Sequence, residues 1–591
     1  MLTPNALKVL EARYLCRDAT GAIIETPDQL FVRVASAIAE AERAWGGEAA
    51  VREWSERFHS ILAALDFLPN SPTLMNAGTG LGQLSACFVL PVDDSLEDIF
   101  DSLRMMALVQ RTGGGTGFSF SRLRPAGDVV ASTGGRSSGP VSFMQIFDSA
   151  TEHIRQGGKR RGANMAVLRV DHPDILEFIR AKRTAGVLEN FNLSAGVTDA
   201  FMDAARNGES CALINPRTGR ETARLNAREV FDEMVDSAWR CGDPGLVFLD
   251  AINAANPTPA LGPIEATNPC GEVPLLPFES CNLGSINLSH MVKAGTGANG
   301  DAIDWEKLRA IVPVAVRLLD DVIECNRYPD PRFAAIAHGN RKIGLGVMGF
   351  ADLLIRLGVS YASAEALETG SRVMQAIAVE ARAASLALAA ERGVFPNYEG
   401  STLAARGERR RNAALTSIAP TGTLSILAGT SASIEPLFAI AYRRSHVLGG
   451  AGLTEIQPLF LECLDRRGLR ADRWMNEILA KGRLAEVEGL PADVKRLFVT
   501  ALEIAPEQHV AVQAAFQRHV DNAVSKTVNL PEDATRESVA SVYRTAWEKR
   551  LKGVTVFRYG SKGTQVLELG TGEEAYEREH FAVCDPHECC L

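Results

Sequence analysis

A chain of 591 residues, 46% hydrophobic and 23% charged, has apolar material for one large α/β unit or several subdomains, the ordinary make-up of a globular enzyme. Its formal net charge of −10 argues against a whole-protein nucleic-acid or membrane-surface binder, so polyanionic ligands need local basic or dipolar sites. No apolar run approaches the roughly 20 residues of a bilayer span, and the opening MLTPNALKVLEARYL lacks a signal-peptide plan. A cytoplasmic location is therefore expected, where the 11 cysteines are not a disulfide framework and each functional one needs its own argument.

In chain order, residues 28–66 read as helical, with Leu30, Val32, Ala35 and Ile38 at helical spacing, then Trp45 and a second helix through Phe58, Leu62 and Leu65. A turn-rich stretch follows at 69–86. Beyond it, short apolar runs at 87–90, 166–170, 245–249 and 415–418 alternate with helical segments, which suits buried strands of a largely parallel α/β sheet or barrel. Gly344, Gly346 and Gly349 match the dinucleotide-binding spacing, but the polar residues 338–342 before them are no buried strand, so the match is rejected. After about 560 the chain turns polar and reads as a mobile tail. The expected organisation is a helical region at 1–68, a catalytic unit at 69–560 and a flexible tail at 561–591.

The chemistry concentrates in a few places. In Asn268-Pro269-Cys270-Gly271-Glu272, proline and glycine on either side of the cysteine favour a tight loop. An amide, a thiol and a carboxylate would converge at its tip; alone, the pentapeptide is equally a turn with a chance cysteine. Cys281 and Cys87 each begin an apolar run, and singly each reads as a core cysteine. Pro420-Thr421-Gly422-Thr423-Leu424-Ser425 places small hydroxyl residues and glycine before an apolar helical stretch, a phosphate cradle or merely a capped helix. Glycines 113, 114, 115 and 117 let a backbone approach a ligand closely, or simply make a turn. Lys159, Arg160 and Arg161 sit in a basic, glycine-flanked loop. At the end, Cys584 and Cys589 lie on a polar segment suited to thiol–disulfide exchange, although His587 and Cys590 leave a metal-binding cluster as the other reading.

Taken together, NSPTLMNAG (70–78), SACFVLP (85–91), RTGGGTGFSFSRLRP (111–125), GKRRGANMAVL (158–168), NPCGEVPL (268–275), ESCNLGSINL (279–288), RKIGLGVMGF (341–350) and APTGTLSILAGTSASIEPLF (419–438) resemble ribonucleotide reductase catalytic subunits, most closely the adenosylcobalamin-dependent class II. The resemblance runs in one order from about residue 3 to the end. It implies a ten-stranded α/β barrel of two five-stranded parallel halves, with a finger loop through its centre and Cys270 at the tip as the thiyl radical. It implies that Glu272 takes the 3′-OH proton, that Asn268 holds the sugar, and that Cys87 and Cys281 become a disulfide as the 2′-OH leaves. A weak, reversibly broken S–H bond suits the task, a flanking carboxylate supplies general-base catalysis, and a dry, buried barrel protects the radical.

By the same resemblance Ser71, Ala86, Gly114 and Gly115 line the substrate site, and Pro420, Thr421, Gly422, Thr423 and Leu424 hold the di- or triphosphate. Asp94, Ser95 and Arg124, the loop near 134–139 and the basic loop carrying Lys159, Arg160 and Arg161 would bind a deoxynucleoside triphosphate effector at a homodimer interface. Cys584 and Cys589 would re-reduce the active-site disulfide and be reduced in turn by a thioredoxin- or glutaredoxin-type protein. The chain reads as starting at the catalytic region, without an ATP-cone. Adenosylcobalamin is the implied cofactor, since the end carries neither a glycyl-radical motif nor paired tyrosines; the cobalamin motif DxHxxG is absent, and no metal ligands are assigned. The rival readings are the large subunit of a metal-dependent reductase and a catalytically silent nucleotide-binding regulator.

Overall fold

The computed structural model describes residues 2–130, 134–154, 162–297, 300–448, 451–561 and 567–569. Three helices open the chain: α1 (Pro4–Arg13), α2 (Pro27–Ala39) and α3 (Arg43–Ala63). Thr3 caps α1 with Pro4 in its first turn, Thr26 and Gln29 form a reciprocal capping box on α2, and Gly47, at φ 63°, breaks the start of α3. Leu30, Val34, Ala35 and Ile38 bury one face of α2 against Phe58 and Leu62 of α3. Val32, read as part of that face, is instead exposed, because two residues along a helix is more than half a turn. Helix α1 lies upstream of the expected helical stretch. The turn-rich stretch at 69–86 also hides a helix, Ser71–Asn76, begun by Pro72.

Ten strands then build the central sheet: β1 (Phe67–Pro69), β2 (Cys87–Pro91), β3 (Gly115–Ser119), β4 (Asn164–Arg169), β5 (Phe191–Val197), β6 (Gly245–Phe248), β7 (Ser280–Asn287), β8 (Ile343–Met348), β9 (Thr527–Leu530) and β10 (Gly553–Arg558). Strands β2 to β6 run parallel, each beside the next. The second half is also parallel. It pairs β7 with β8 and β9 with β10, and the gap between is bridged by residues 416–418, through Leu345–Thr416 and Ile418–Val524. The halves meet antiparallel at two seams, β2 against β7 and β6 against β10, and these close the barrel. The short β1 continues the first seam antiparallel to β7.

The interior holds its own apolar cluster: Cys87 and Val89 from β2, Met165 and Val167 from β4, Val247 from β6, Cys281 and Leu283 from β7, and Ala266, Val273 and Leu275 from a hairpin inside. Larger clusters flank it, one under the helices of the first half and one joining the second half to α1–α3. Gly344 and Gly346 lie within β8, not after a strand. A Cβ at 346 would stand 2.2 Å from Ser417 O and one at 344 would stand 2.2 Å from Leu283 Cδ2, so these glycines admit residues 416–418 and the β7 side chains rather than a dinucleotide.

The helix Ala364–Arg392 is, by length and composition, long and apolar enough to cross a membrane, contrary to the expectation that no stretch of the chain would be. Here it buries Val373, Met374, Ile377 and Ala381 in the core, and its Arg382 pairs with Glu408 at 2.7 Å. The segment expected to be all tail contributes a strand, Leu567–Leu569, paired antiparallel with Ala441–Leu448. Cys584 and Cys589 lie outside the described residues, as do Lys159, Arg160 and Arg161.

Candidate active site

The hairpin inside the barrel pairs Ala266 with Leu275 and Thr267 with Pro274, and its loop is Asn268 to Val273. The glycine cluster makes its passage possible. A Cβ on Gly117 would sit 1.7 Å from Thr267 O, and one on Gly115 would sit 3.0 Å from Pro269 Cγ. Gly114 turns instead toward Val109 and Phe88. The backbone that approaches this cluster so closely is the protein's own hairpin, where a ligand was the expectation. Gly115 also donates its N–H to Ala86 O at 2.8 Å, which sets Ala86 at the mouth of β2 and β3.

The loop is held by its own side chains. Asn268 Oδ1 accepts from Val273 N at 3.0 Å, and its Nδ2 donates to Glu272 Oε2 at 2.8 Å and to Cys87 Sγ at 3.2 Å. Gly271 takes φ 80°, a left-handed turn that glycine adopts without strain. Asn268 and Glu272 are each 2% exposed, whereas Cys270 between them is exposed. The amide and the carboxylate therefore converge as expected, and residue 270 between them is the accessible one.

Beneath the loop, Cys87 and Cys281 are register partners across the antiparallel seam, which puts their Cβ atoms roughly 4.5–5.5 Å apart, close to disulfide reach. They are 3% and 1% exposed. Cys87 Sγ also lies 3.9 Å from Glu272 Oε1, so the pair sits directly under the loop that carries Cys270. Sequence reasoning had no means of pairing two cysteines so far apart except through the family.

The two sulfurs differ in setting. Cys281 Sγ donates to Asn282 O at 3.5 Å and Lys342 O at 3.6 Å. Burial, reinforced by the nearby Glu279 carboxylate, pushes its pKa far above the usual thiol range. Behind it lies a fully buried ion pair, Lys342 Nζ to Glu279 Oε2 at 2.8 Å, with Asn340 Nδ2 and Leu276 N also donating to the carboxylate. Glu279 and Lys342 were missed as site residues, although charges inside apolar strand-like runs were the available signal. Alkylation at mildly alkaline pH, followed by peptide mass spectrometry, is expected to modify Cys270 well before Cys281. Equal rates at the two would contradict this assignment of environments.

The segment expected to hold phosphate begins at Thr421, in the left-handed region at φ 50°, and forms the short helix Gly422–Ala428. Thr421 Oγ1 accepts from Ser433 N at 2.7 Å, so that hydroxyl already braces the following loop. Arg13 Nη1 donates to Thr423 Oγ1 at 3.4 Å, and Tyr14 OH lies 2.7 Å from Ser71 Oγ. Neighbours at the end of α1 thus touch both segments read as substrate-binding. Nothing near Arg13 in the sequence signals that contact.

At the other end of β2, Arg124 Nε grips Asp94 Oδ2 at 2.8 Å while its Nη1 donates to Val129 O at 3.2 Å. Ser95 caps the helix Leu96–Arg111, accepting from Asp98 N at 3.0 Å. The three expected effector residues therefore do gather, around one helix start and one ion pair.

A closed barrel with a thiol-bearing finger above a cross-strand dithiol defines a thiol-based reductase of the barrel-and-finger class. Family models agree: "Ribonucleotide reductase, all-alpha domain" matches residues 1–82 and "Ribonucleotide reductase, barrel domain" matches residues 85–557. The chain belongs to the ribonucleotide reductase family. It is 50% identical to the vitamin B12-dependent ribonucleoside-diphosphate reductase of Thermoplasma acidophilum, over 97% of this chain and 81% of that one. It is 53% identical to the enzyme of the same name from Mycobacterium tuberculosis (strain CDC 1551 / Oshkosh), over 96% and 80%. The solved Actinobacillus ureae class Id ribonucleotide reductase alpha subunit shares the fold, with a TM-score of 0.76 at 23% identity over 95% of this chain and 97% of that one.

Proposed function

We propose that the chain reduces ribonucleoside diphosphates to 2′-deoxyribonucleoside diphosphates with adenosylcobalamin as radical initiator. The observation that carries this is the seam itself. A dithiol sits in register under a loop whose amide and carboxylate flank a third, exposed thiol.

When bound, adenosylcobalamin supplies the one-electron oxidant that makes a thiyl radical. The donor set fits it, because Cys270 is open at the loop tip to a partner bound directly against it.

The residues then divide the work. The Cys270 sulfur takes the 3′-hydrogen and returns it at the end, so it is regenerated. Glu272, held by Asn268, accepts the 3′-OH proton, a role general-base catalysis makes worth about 10²–10⁴-fold. The 2′-OH leaves as water after protonation, and Cys87 and Cys281 together give two electrons and two protons. The balance is one ribonucleotide plus two thiols to one deoxyribonucleotide, one disulfide and water.

Segment 420–424 with Ser71 and Ala86 binds the phosphates and sugar. Asp94, Ser95 and Arg124 bind a deoxynucleotide effector, together with the loop of Lys159, Arg160 and Arg161. Exposed apolar side chains beside that site, Leu96 at 61% and Phe100 at 49%, support a homodimer through the helix Leu96–Arg111. Cys584 and Cys589 would carry electrons in from a thioredoxin-type protein.

The deciding assay is anaerobic reduction of CDP and of CTP by the purified chain with a dithiol reductant, with and without adenosylcobalamin. Deoxynucleotide formed only with the cofactor is the expected result. Activity that needs a second, metal-containing protein would overturn it in favour of the metal-dependent subunit. Arg124→Ala is expected to leave basal turnover in place while erasing the change of base preference that effectors cause, measured as product ratios from mixed substrates.

A further inference from the structure

Hydrogen abstraction requires the Cys270 sulfur to stay at a set distance from one sugar carbon, yet Cys270 lies exposed at the tip of a loop. The residue before it is gripped from both sides. Asn192 on β5 donates from Nδ2 to Pro269 O at 2.8 Å. From β3, Gly115 leaves only the room that the Pro269 ring fills, since a Cβ there would meet Pro269 Cγ at 3.0 Å. The Pro269 carbonyl and the Cys270 nitrogen share one planar peptide, so fixing that oxygen fixes the plane from which the Cys270 side chain departs. Proline's ring removes the rotation on the other side.

Asn192 is unusual for its place. It is exposed on a strand whose other residues are buried, and asparagine is a poor strand former. No other side-chain hydrogen bond of Asn192 is seen among the described residues. The hydrogen bond that its side chain makes among the described residues reaches the finger loop.

We propose that Asn192 is a positioning residue for Cys270, clamping the Pro269–Cys270 peptide so that the sulfur faces the substrate at a reactive distance. This rests on the reading of Cys270 as the hydrogen-abstracting thiol.

The test uses the full chain with Asn192→Ala, Asn192→Asp and Asn192→Gln. Asn192→Ala and Asn192→Asp should lower kcat by on the order of 10–10²-fold, the scale of a reacting group displaced by about 1 Å, with KM for the nucleotide unchanged. Asn192→Gln keeps the donor and should recover part of the loss. A second readout needs neither cofactor nor turnover: alkylation of Cys270, followed by peptide mass spectrometry, should change several-fold in Asn192→Ala while the thermal midpoint holds.

Wild-type kcat together with wild-type Cys270 labelling in Asn192→Ala would overturn the clamp. So would a raised KM at constant kcat, which would make Asn192 a substrate contact instead. If Cys270→Ser reduced nucleotides as well as wild type, the catalytic reading would be the part at fault, and the labelling rates would still judge the clamp.

Discussion

Cys270→Ser is expected to eliminate deoxynucleotide formation, a loss on the order of 10⁴-fold or more, as when the reacting group itself is removed from a catalytic unit. The fold should survive, because Cys270 is exposed and serine is nearly its size. The loop is braced by hydrogen bonds from Asn268 to Glu272 and from Val273 to Asn268, both made by residues other than 270. An O–H bond is too strong to be exchanged reversibly with a sugar C–H, so serine cannot substitute. The measurement is single-turnover product formation under anaerobic conditions, beside circular dichroism and a thermal midpoint. Cys87→Ser and Cys281→Ser should also lose reduction, for a different reason, since the Cys270 sulfur remains but no disulfide can form across β2 and β7. A Cys270→Ser protein that still turned over would remove the thiyl from the mechanism altogether.

Gly117→Ala is expected to do nearly as much damage without touching a reactive atom. The added Cβ would fall 1.7 Å from Thr267 O and 2.7 Å from Thr267 C, and both belong to hairpin backbone rather than to a flexible side chain. The hairpin has little room to retreat, with Ala266, Val273 and Leu275 packed into the barrel interior. Overpacking of this kind costs about 1–3 kcal/mol. If the hairpin yields instead, a displacement near 1 Å at the loop lowers turnover by about 10²-fold. The expected result is a lowered thermal midpoint together with a drop in kcat. Gly80→Ala is the control, since nothing lies within 4 Å of its Cβ, and it should stay within about 0.5 kcal/mol of wild type. Wild-type stability and turnover in Gly117→Ala would mean that the hairpin does not thread past β3 in solution.

Much of this was legible in the residues. Apolar runs at 87–90, 166–170 and 245–249 became β2, β4 and β6 to within a few residues, since a strand covered on both faces must be continuously apolar. The run at 415–418 joined the barrel too, but only by isolated bridges, which let β1 be counted in the ten-stranded sheet in its place. Helix Ser71–Asn76 was hidden because proline and small polar residues serve a turn and a helix start equally well. The glycine cluster was noticed for close backbone approach, but nothing along the chain announced that Gly115 and Gly117 also make room for the protein's own hairpin.

Local chemistry along the chain is enough to specify the loop around Cys270, because proline, glycine and the flanking amide and carboxylate act within five residues of one another. The company that loop keeps is another matter. Cys87 meets Cys281, Asn192 meets Pro269, and Arg13 meets Thr423 only once two parallel half-barrels close on each other, since strand register and side-chain reach are set by packing the whole sheet and not by any stretch of it.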